Sequence, residues 1–230
     1  MWKTCKLKKI LISGLVFLLL SGCALFEEEN HQMNKTAQQL AAEGAASFMN
    51  EDYEDAVKAY TDLKDWYPFS KYAILAELKI ADAHFHLEQY PEAIAAYENF
   101  EKMHPKNEAV PYIISQIAMC WFNQIDTIDR DATPAKNARA EFERLIRLFP
   151  DSDYSLEALA HVDACIDNIA GHELYVANFY NKTKKYKAAL KRYQYIVENY
   201  AGTDQSQIAL EKIPKVSGHI KAAESHKDIK

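Results

Sequence analysis

The chain lacks several features that would decide its class at once. The apolar stretch Ile10 to Leu20 is its candidate membrane segment, and it falls short of the roughly 20 residues a helix needs to cross the hydrocarbon. Glycines number only six, and none form the clustered loop that cradles a phosphate. No serine stands in a nucleophile elbow. No segment alternates apolar and polar residues for long, so no sheet is expected. Basic residues are also short. Beyond residue 22 there are 23 Lys and Arg against 33 Asp and Glu, a net charge near −10. That balance excludes nucleic-acid binding, which needs basic patches to neutralise phosphate, and a polybasic grip on anionic lipid.

What is present begins at the N-terminus. Lysines stand at 3, 6, 8 and 9, the apolar stretch follows, and Leu20-Ser21-Gly22-Cys23 closes it. A basic start, a short greasy middle and a small-residue site make a secretory signal. Ending on Leu-Ser-Gly-Cys, it resembles the lipobox of bacterial lipoproteins. The resemblance implies cleavage after residue 22 and a covalent lipid on Cys23, with no other cofactor. Ala24 stands where an aspartate would signal retention in the inner membrane, so the outer membrane is expected. Several acyl chains anchor a protein stably where one does not. Residues 23–34, with Glu27-Glu28-Glu29, read as the tether to a soluble body.

Four cysteines are present. Cys5 leaves with the signal and Cys23 takes lipid. Cys120 and Cys165 remain in a compartment where a disulfide is chemically allowed. Both lie on apolar helical faces, which favours two buried thiols.

From about Lys35 onward, apolar residues recur at three- and four-residue steps, the helical period. The steps themselves repeat. Ala56, Tyr60, Leu63 and Pro68 are offset by four, three and five. Ala93, Tyr97, Phe100 and Pro105 share those offsets, as do Ala138, Phe142, Leu145 and Pro150. A fourth unit has Ala189, Tyr193 and Ile196, with Ala201 in the proline position. The pattern matches the second helix of a tetratricopeptide repeat (TPR): a small residue for close approach, an aromatic, a large apolar residue, and a proline that stops the helix. Gly44 and Ala81 each lie twelve residues before the small residue of their unit, where the facing helix needs a small side chain. The expected fold is all-α, an α-solenoid of about five TPR-like helix pairs in a right-handed superhelix with a concave binding groove. Spacing is uneven. A polar insertion, Asp126 to Pro134, interrupts the third unit, and Ser155 to Asn181 leaves room for an unusually long helix that Gly171 weakens. The partial fifth unit is broken at Pro214 and Gly218.

No catalytic constellation emerges. His84 and His86, two apart, point to different helix faces. His161 and Cys165 share a face, but two ligands do not make a structural zinc site, and a buried thiol beside a surface histidine is the simpler reading. Asp126, Asp129 and Asp131 lack the calcium-loop pattern. No metal site and no enzyme activity are expected. The aromatics Trp66-Tyr67-Pro68-Phe69 and Tyr72 stand out instead. A turn requires Pro68 but not its aromatic neighbours, and such rings suit protein recognition, though they also serve to staple adjacent repeats.

Together, the lipobox, the repeats, Tyr67-Pro68-Phe69 with Tyr72, Asp129-Arg130-Asp131 followed by Ala138-Arg139-Ala140, Phe149-Pro150-Asp151-Ser152-Asp153-Tyr154 and the Glu173 to Tyr180 stretch are similar to the BamD family (also called YfiO or ComL) of outer-membrane assembly lipoproteins. The likeness spans about residues 15 to 215. It implies a non-enzymatic scaffold on the periplasmic face of the outer membrane. Residues 35–151 would form a substrate-side groove, with Tyr67, Phe69, Tyr72, Phe48 and Phe85 as candidate contacts to unfolded barrel proteins. Residues 152–230 would hold the periplasmic domains of a BamA-like insertase. Arg192, Arg130 and Arg139 are candidate partner contacts, Arg192 offering a bidentate grip on a carboxylate. Contacts to other Bam lipoproteins are carried by the C-terminal end in the family, and only His219 to Lys230 follow Gly218 here. Another repeat lipoprotein, such as a pilotin or a cell-wall or division coordinator, is the alternative.

Overall fold

The computed structural model describes residues 35–225, which form helices and no strand. In chain order these are α1 (Ala37–Met49), α2 (Tyr53–Trp66), α3 (Ala73–His86), α4 (Tyr90–Met103), α5 (Val110–Phe122), α6 (Thr133–Leu148), α7 (Asp153–Lys182), α8 (Tyr186–Asn199) and α9 (Asp204–Ser225). Two compact units divide between Lys79 and Ile80. Cys23, the signal segment 1–22 and the tether 23–34 lie outside the described residues.

The repeat seen in the sequence is a repeat in packing. Ala56, Ala93, Ala138 and Ala189 are fully buried, and so are Tyr60, Tyr97, Phe142 and Tyr193 and the residues three further on, Leu63, Phe100, Leu145 and Ile196. Each of α2, α4, α6 and α8 then ends alike. Tyr67, His104, Phe149 and Tyr200 leave the helical region at φ −131°, −128°, −136° and −131°. Each still donates its N–H to the carbonyl four residues back, at 2.8–2.9 Å. Proline follows three of them and disfavours helical geometry at the residue before it. Tyr200 adopts the same geometry before Ala201.

Within the pairs α1/α2, α3/α4 and α7/α8 the turn is also the same. Glu51, Glu88 and Lys184 occupy the left-handed region at φ 65°, 57° and 58°, each five residues before the buried alanine. The following N–H closes a six-residue ring onto Ser47, His84 or Tyr180, at 2.9, 3.0 and 2.8 Å. This is the Schellman end of a helix, built three times without glycine. Small residues let the paired helices approach. A Cβ on Gly44 would sit 2.8 Å from the Tyr60 ring. Ala81 and, in the fourth pair, Ala177 are fully buried. In the second and fourth pairs the core tyrosine hydroxyl is satisfied fifteen residues back, on the facing helix. Tyr97 donates to Asp82 Oδ1 at 2.8 Å and Tyr193 to Asn178 Oδ1 at 2.7 Å. Asp82 Oδ1 also accepts from Tyr112 at 2.9 Å, so a buried carboxylate joins α3, α4 and α5.

The third pair departs from the rule, and the departure explains why a glycine stands at 171. Its turn is the insertion 123–132, which docks on the long helix α7. Asn168 donates to the Asp126 carbonyl at 3.1 Å, and His172 Nδ1 lies 2.9 Å from the Ile128 carbonyl. Ile128 lies over Gly171 so closely that a Cβ there would meet its Cγ2 at 2.8 Å. Gly171 therefore does not break α7, whose 30 residues run without interruption. It is the notch that seats the insertion.

Helix α9 also runs through Pro214 and Gly218 rather than breaking there. Pro214 deprives the Leu210 carbonyl of its helical donor, at a position where Leu210 is exposed. Four complete pairs and the lone α9 account for the described residues.

Candidate functional site

The residues singled out in the sequence fall in two places. Tyr67, Phe69, Tyr72 and Phe48 lie in the first unit. Phe48 packs edge-on against Tyr53 at 5.2 Å, with the Lys79 ammonium 4.7 Å from its ring centre. The Tyr67 hydroxyl donates to the Lys35 carbonyl at 2.8 Å. Lys71 Nζ lies 5.0 Å from the centre of the Tyr72 ring. Phe69, in contrast, is wholly exposed. Phe85 belongs to the second unit, half-buried and edge-on to Tyr90 and His86.

Arg130, Arg139 and Arg192 all lie in the second unit but have different surroundings. Arg130 projects from the insertion, largely exposed, with Asp126 at 3.9 Å. Arg139 is held along α6 by Glu143 at 2.7 Å. Arg192, on α8, pairs with Glu173 on α7. Glu173 is almost completely buried while 43 % of the arginine side chain remains accessible. The guanidinium bridges a buried charge to the surface, leaving donors free to face outward.

The same two helices carry aromatic rings that the sequence reading did not assign. Tyr175, Phe179 and Tyr195 are all exposed. Tyr175 and Phe179 are four apart, a spacing that aligns side chains on one helix face. They fall outside the buried register of Ala170, Glu173 and Ala177, which is the signal that could have found them. An exposed set of Tyr, Phe and Arg is the chemistry of a protein–protein surface.

Charge sharpens the contrast. Residues 182–225 hold nine Lys and Arg against four Asp and Glu, in a chain that is otherwise acidic. Lys182, Lys184, Lys185, Lys187 and Lys191 are all exposed, so this segment carries an accessible positive charge.

His161 is half-buried rather than a freely exposed side chain. It stacks on Phe142 at 5.1 Å and meets Phe122 edge-on at 4.6 Å. Cys120 and Cys165 are free, buried thiols. Burial pushes Cys120 up to about 12 and Cys165 up to about 11. An open acidic cleft of about 450 Å³ is lined by Asp163, Asp167 and Asp204 with Ile166 and residues 201–203. Among the described residues no three His, Cys, Asp or Glu side chains are arranged to hold a metal ion.

The family model for YfiO, described as an outer membrane lipoprotein, matches residues 33–228. This chain belongs to the YfiO family. Relatives of this YfiO member include proteins named outer membrane protein assembly factor BamD. One, from Neisseria meningitidis serogroup A, is 29 % identical over 211 residues, covering 86 % of this chain and 79 % of its own. Another, from Vibrio cholerae serotype O1, is 26 % identical over 87 % of each chain. A solved tetratricopeptide repeat protein from Parabacteroides merdae aligns over 84 % of this chain and 77 % of its own, with a TM-score of 0.42 and 13 % identity. No helix among the described residues is long and apolar enough to cross a membrane.

Proposed function

We propose that this YfiO-family chain is a non-enzymatic scaffold of the outer-membrane β-barrel assembly machinery. It is anchored by lipid on Cys23 to the periplasmic face of the outer membrane. Residues 152–230 hold the periplasmic domains of a BamA-like insertase, and residues 35–151 receive unfolded barrel proteins. The observation that carries this reading, beside the family match, is the Arg192–Glu173 pair among exposed aromatics on α7 and α8. A buried carboxylate fixes the arginine, and an accessible fork of donors suits a partner carboxylate. The basic excess of residues 182–225 steers an acidic partner to the same end. Arg130 and Arg139 add charge on the insertion and on α6. On the substrate side, Phe48 in the first unit and Phe85 in the second each offer a half-buried ring to an apolar strand. The chemistry of these groups suits docking rather than turnover.

The test is affinity capture from detergent-solubilised membranes, comparing the wild type with Arg192→Glu. Recovery of a barrel protein with periplasmic domains by the wild type, and its loss in the variant, supports the reading. An identical partner list from both removes Arg192 from it. A wild type that captures no barrel protein ends it.

A further inference from the structure

We propose that the turn between α2 and α3, from Trp66 to Leu75, is a second and non-covalent contact with the lipid surface that receives the acyl chains of Cys23. The inference rests on the acylation of Cys23 argued above, and adds to it a defined face of the folded body.

Three observations meet at this turn. The first is exposure. Phe69 is 101 % accessible, so no protein atom covers it, and Trp66, Ile74 and Leu75 are 39 %, 45 % and 49 % accessible. Four large apolar side chains within ten residues of this one turn face water. Covering them would withdraw their exposed apolar surface from water, so the turn is poised for a covering surface.

The second is where the chain enters the fold. The Tyr67 hydroxyl donates to the Lys35 carbonyl at 2.8 Å, in the middle of the same turn. Lys35 is further fixed by Glu43 at 2.6 Å. Thr36 and Gln39 close a reciprocal cap on α1, at 2.8 and 3.3 Å. The entry point of the body and the exposed turn are therefore one place, held together by a side-chain-to-backbone bond.

The third is the length of the tether. Twelve residues separate Cys23 from Lys35. Their contour length sets an upper bound of about 40 Å on the distance between the two. The anchor therefore keeps the Tyr67 turn at high local concentration over the lipid surface, and even weak apolar contacts are then occupied.

The chemistry names the occupant. Tryptophan, tyrosine and phenylalanine settle at the level of the headgroups, with ring bodies in the acyl boundary. The segment 62–75 carries Asp62, Lys64, Asp65 and Lys71, so its formal charge is zero, and Lys64 lies 3.7 Å from Asp65. The contact is thus with the interface of a neutral phospholipid surface and does not depend on anionic headgroups. It orients the first unit with its α2–α3 turn toward the membrane.

The experiment uses the acylated mature chain with Trp121→Phe, which leaves Trp66 as its sole tryptophan. The protein is reconstituted into phosphatidylcholine–phosphatidylethanolamine vesicles containing bromine-labelled lipid. The expected result is a blue-shifted Trp66 emission, quenched most by bromine placed near the headgroups and equal at low and high salt. Phe69→Ser should lower that quenching about twofold, by the loss of one buried aromatic, and Phe69→Leu should restore most of it. Vesicle-bound, acylated protein whose Trp66 emits as it does in water overturns the proposal. So does a synthetic strand peptide with an aromatic terminus that shields Trp66 from acrylamide when vesicles do not, since the turn is then a peptide site. Mass spectrometry of the same sample separates the two readings: an unmodified Cys23 defeats the acylation itself, and with it the premise used here.

Discussion

Glu173 in α7 and Arg192 in α8 form an ion pair in which the acid is buried and the arginine half-accessible. The pair has two tasks that pull on any substitution. It neutralises a carboxylate inside the second unit, and it presents a guanidinium outward. Removing the arginine leaves a buried charge without its partner, which costs far more than losing a surface pair. Arg192→Ala should therefore lower stability by about 2 kcal/mol, read by urea unfolding. The double variant Glu173→Gln with Arg192→Gln should recover most of that loss while still losing partner capture. Equal stability of Arg192→Ala and wild type would show that the buried acid does not need this arginine.

Gly171 and Ile128 form a second dependent pair. Alanine normally improves a helix by about 1 kcal/mol over glycine. Here its Cβ would meet Ile128 at 2.8 Å, so Gly171→Ala should destabilise by about 1–2 kcal/mol. With Ile128→Ala added, the clash is gone and the helix gain should reappear. Thermal unfolding of both single variants and the double variant measures the coupling. Additive effects would mean that the insertion does not seat on α7.

Ala201 marks the one unit whose helix stop lacks proline. Tyr200 already holds the backbone geometry that Tyr67, His104 and Phe149 adopt before prolines. Ala201→Pro should thus raise stability by about 0.4–1 kcal/mol, mainly by restricting the unfolded chain. A fall in Tm would show that the fourth stop differs from the other three.

Stability should decline in alkali, and the sign follows from the thiols. Burial raises Cys120 from 9.0 to about 12 and Cys165 from 9.0 to about 11. The folded state therefore keeps protons that the unfolded state releases. The stabilisation is complete below about pH 9 and is lost as pH rises from there toward 11–12. The buried Tyr97 and Tyr112 hydroxyls, raised by burial and by the Asp82 carboxylate beside them, extend the same trend above pH 10. Unfolding free energy measured from pH 7 to 11 should fall, and native protein at pH 8 should resist a thiol reagent until denatured. Rapid modification of the native thiols would contradict the burial.

How much of this was legible depended on whether the signal was local. The offsets Ala–aromatic–apolar–Pro were visible because a helix repeats its contacts every three or four residues, and each unit must bury the same face. The glutamate turns at 51 and 88 were not, because φ is set by the closing hydrogen bonds and neither residue favours that region. Gly171 shows the limit most clearly. Read locally, a glycine weakens a helix; it is kept because Ile128, forty-three residues earlier, needs the space.

Sequence alone determined the secretory signal pattern, the all-α class and the four repeat units, since each depends on residues close together along the chain. Tertiary structure decided which side chains are spent and which are available. It used Tyr67 on the Lys35 carbonyl, Asp82 on two tyrosines and Glu173 on Arg192, and left Phe69, Tyr175, Phe179 and Tyr195 facing solvent. That choice rests on contacts between residues distant in sequence, and periodicity carries no record of them.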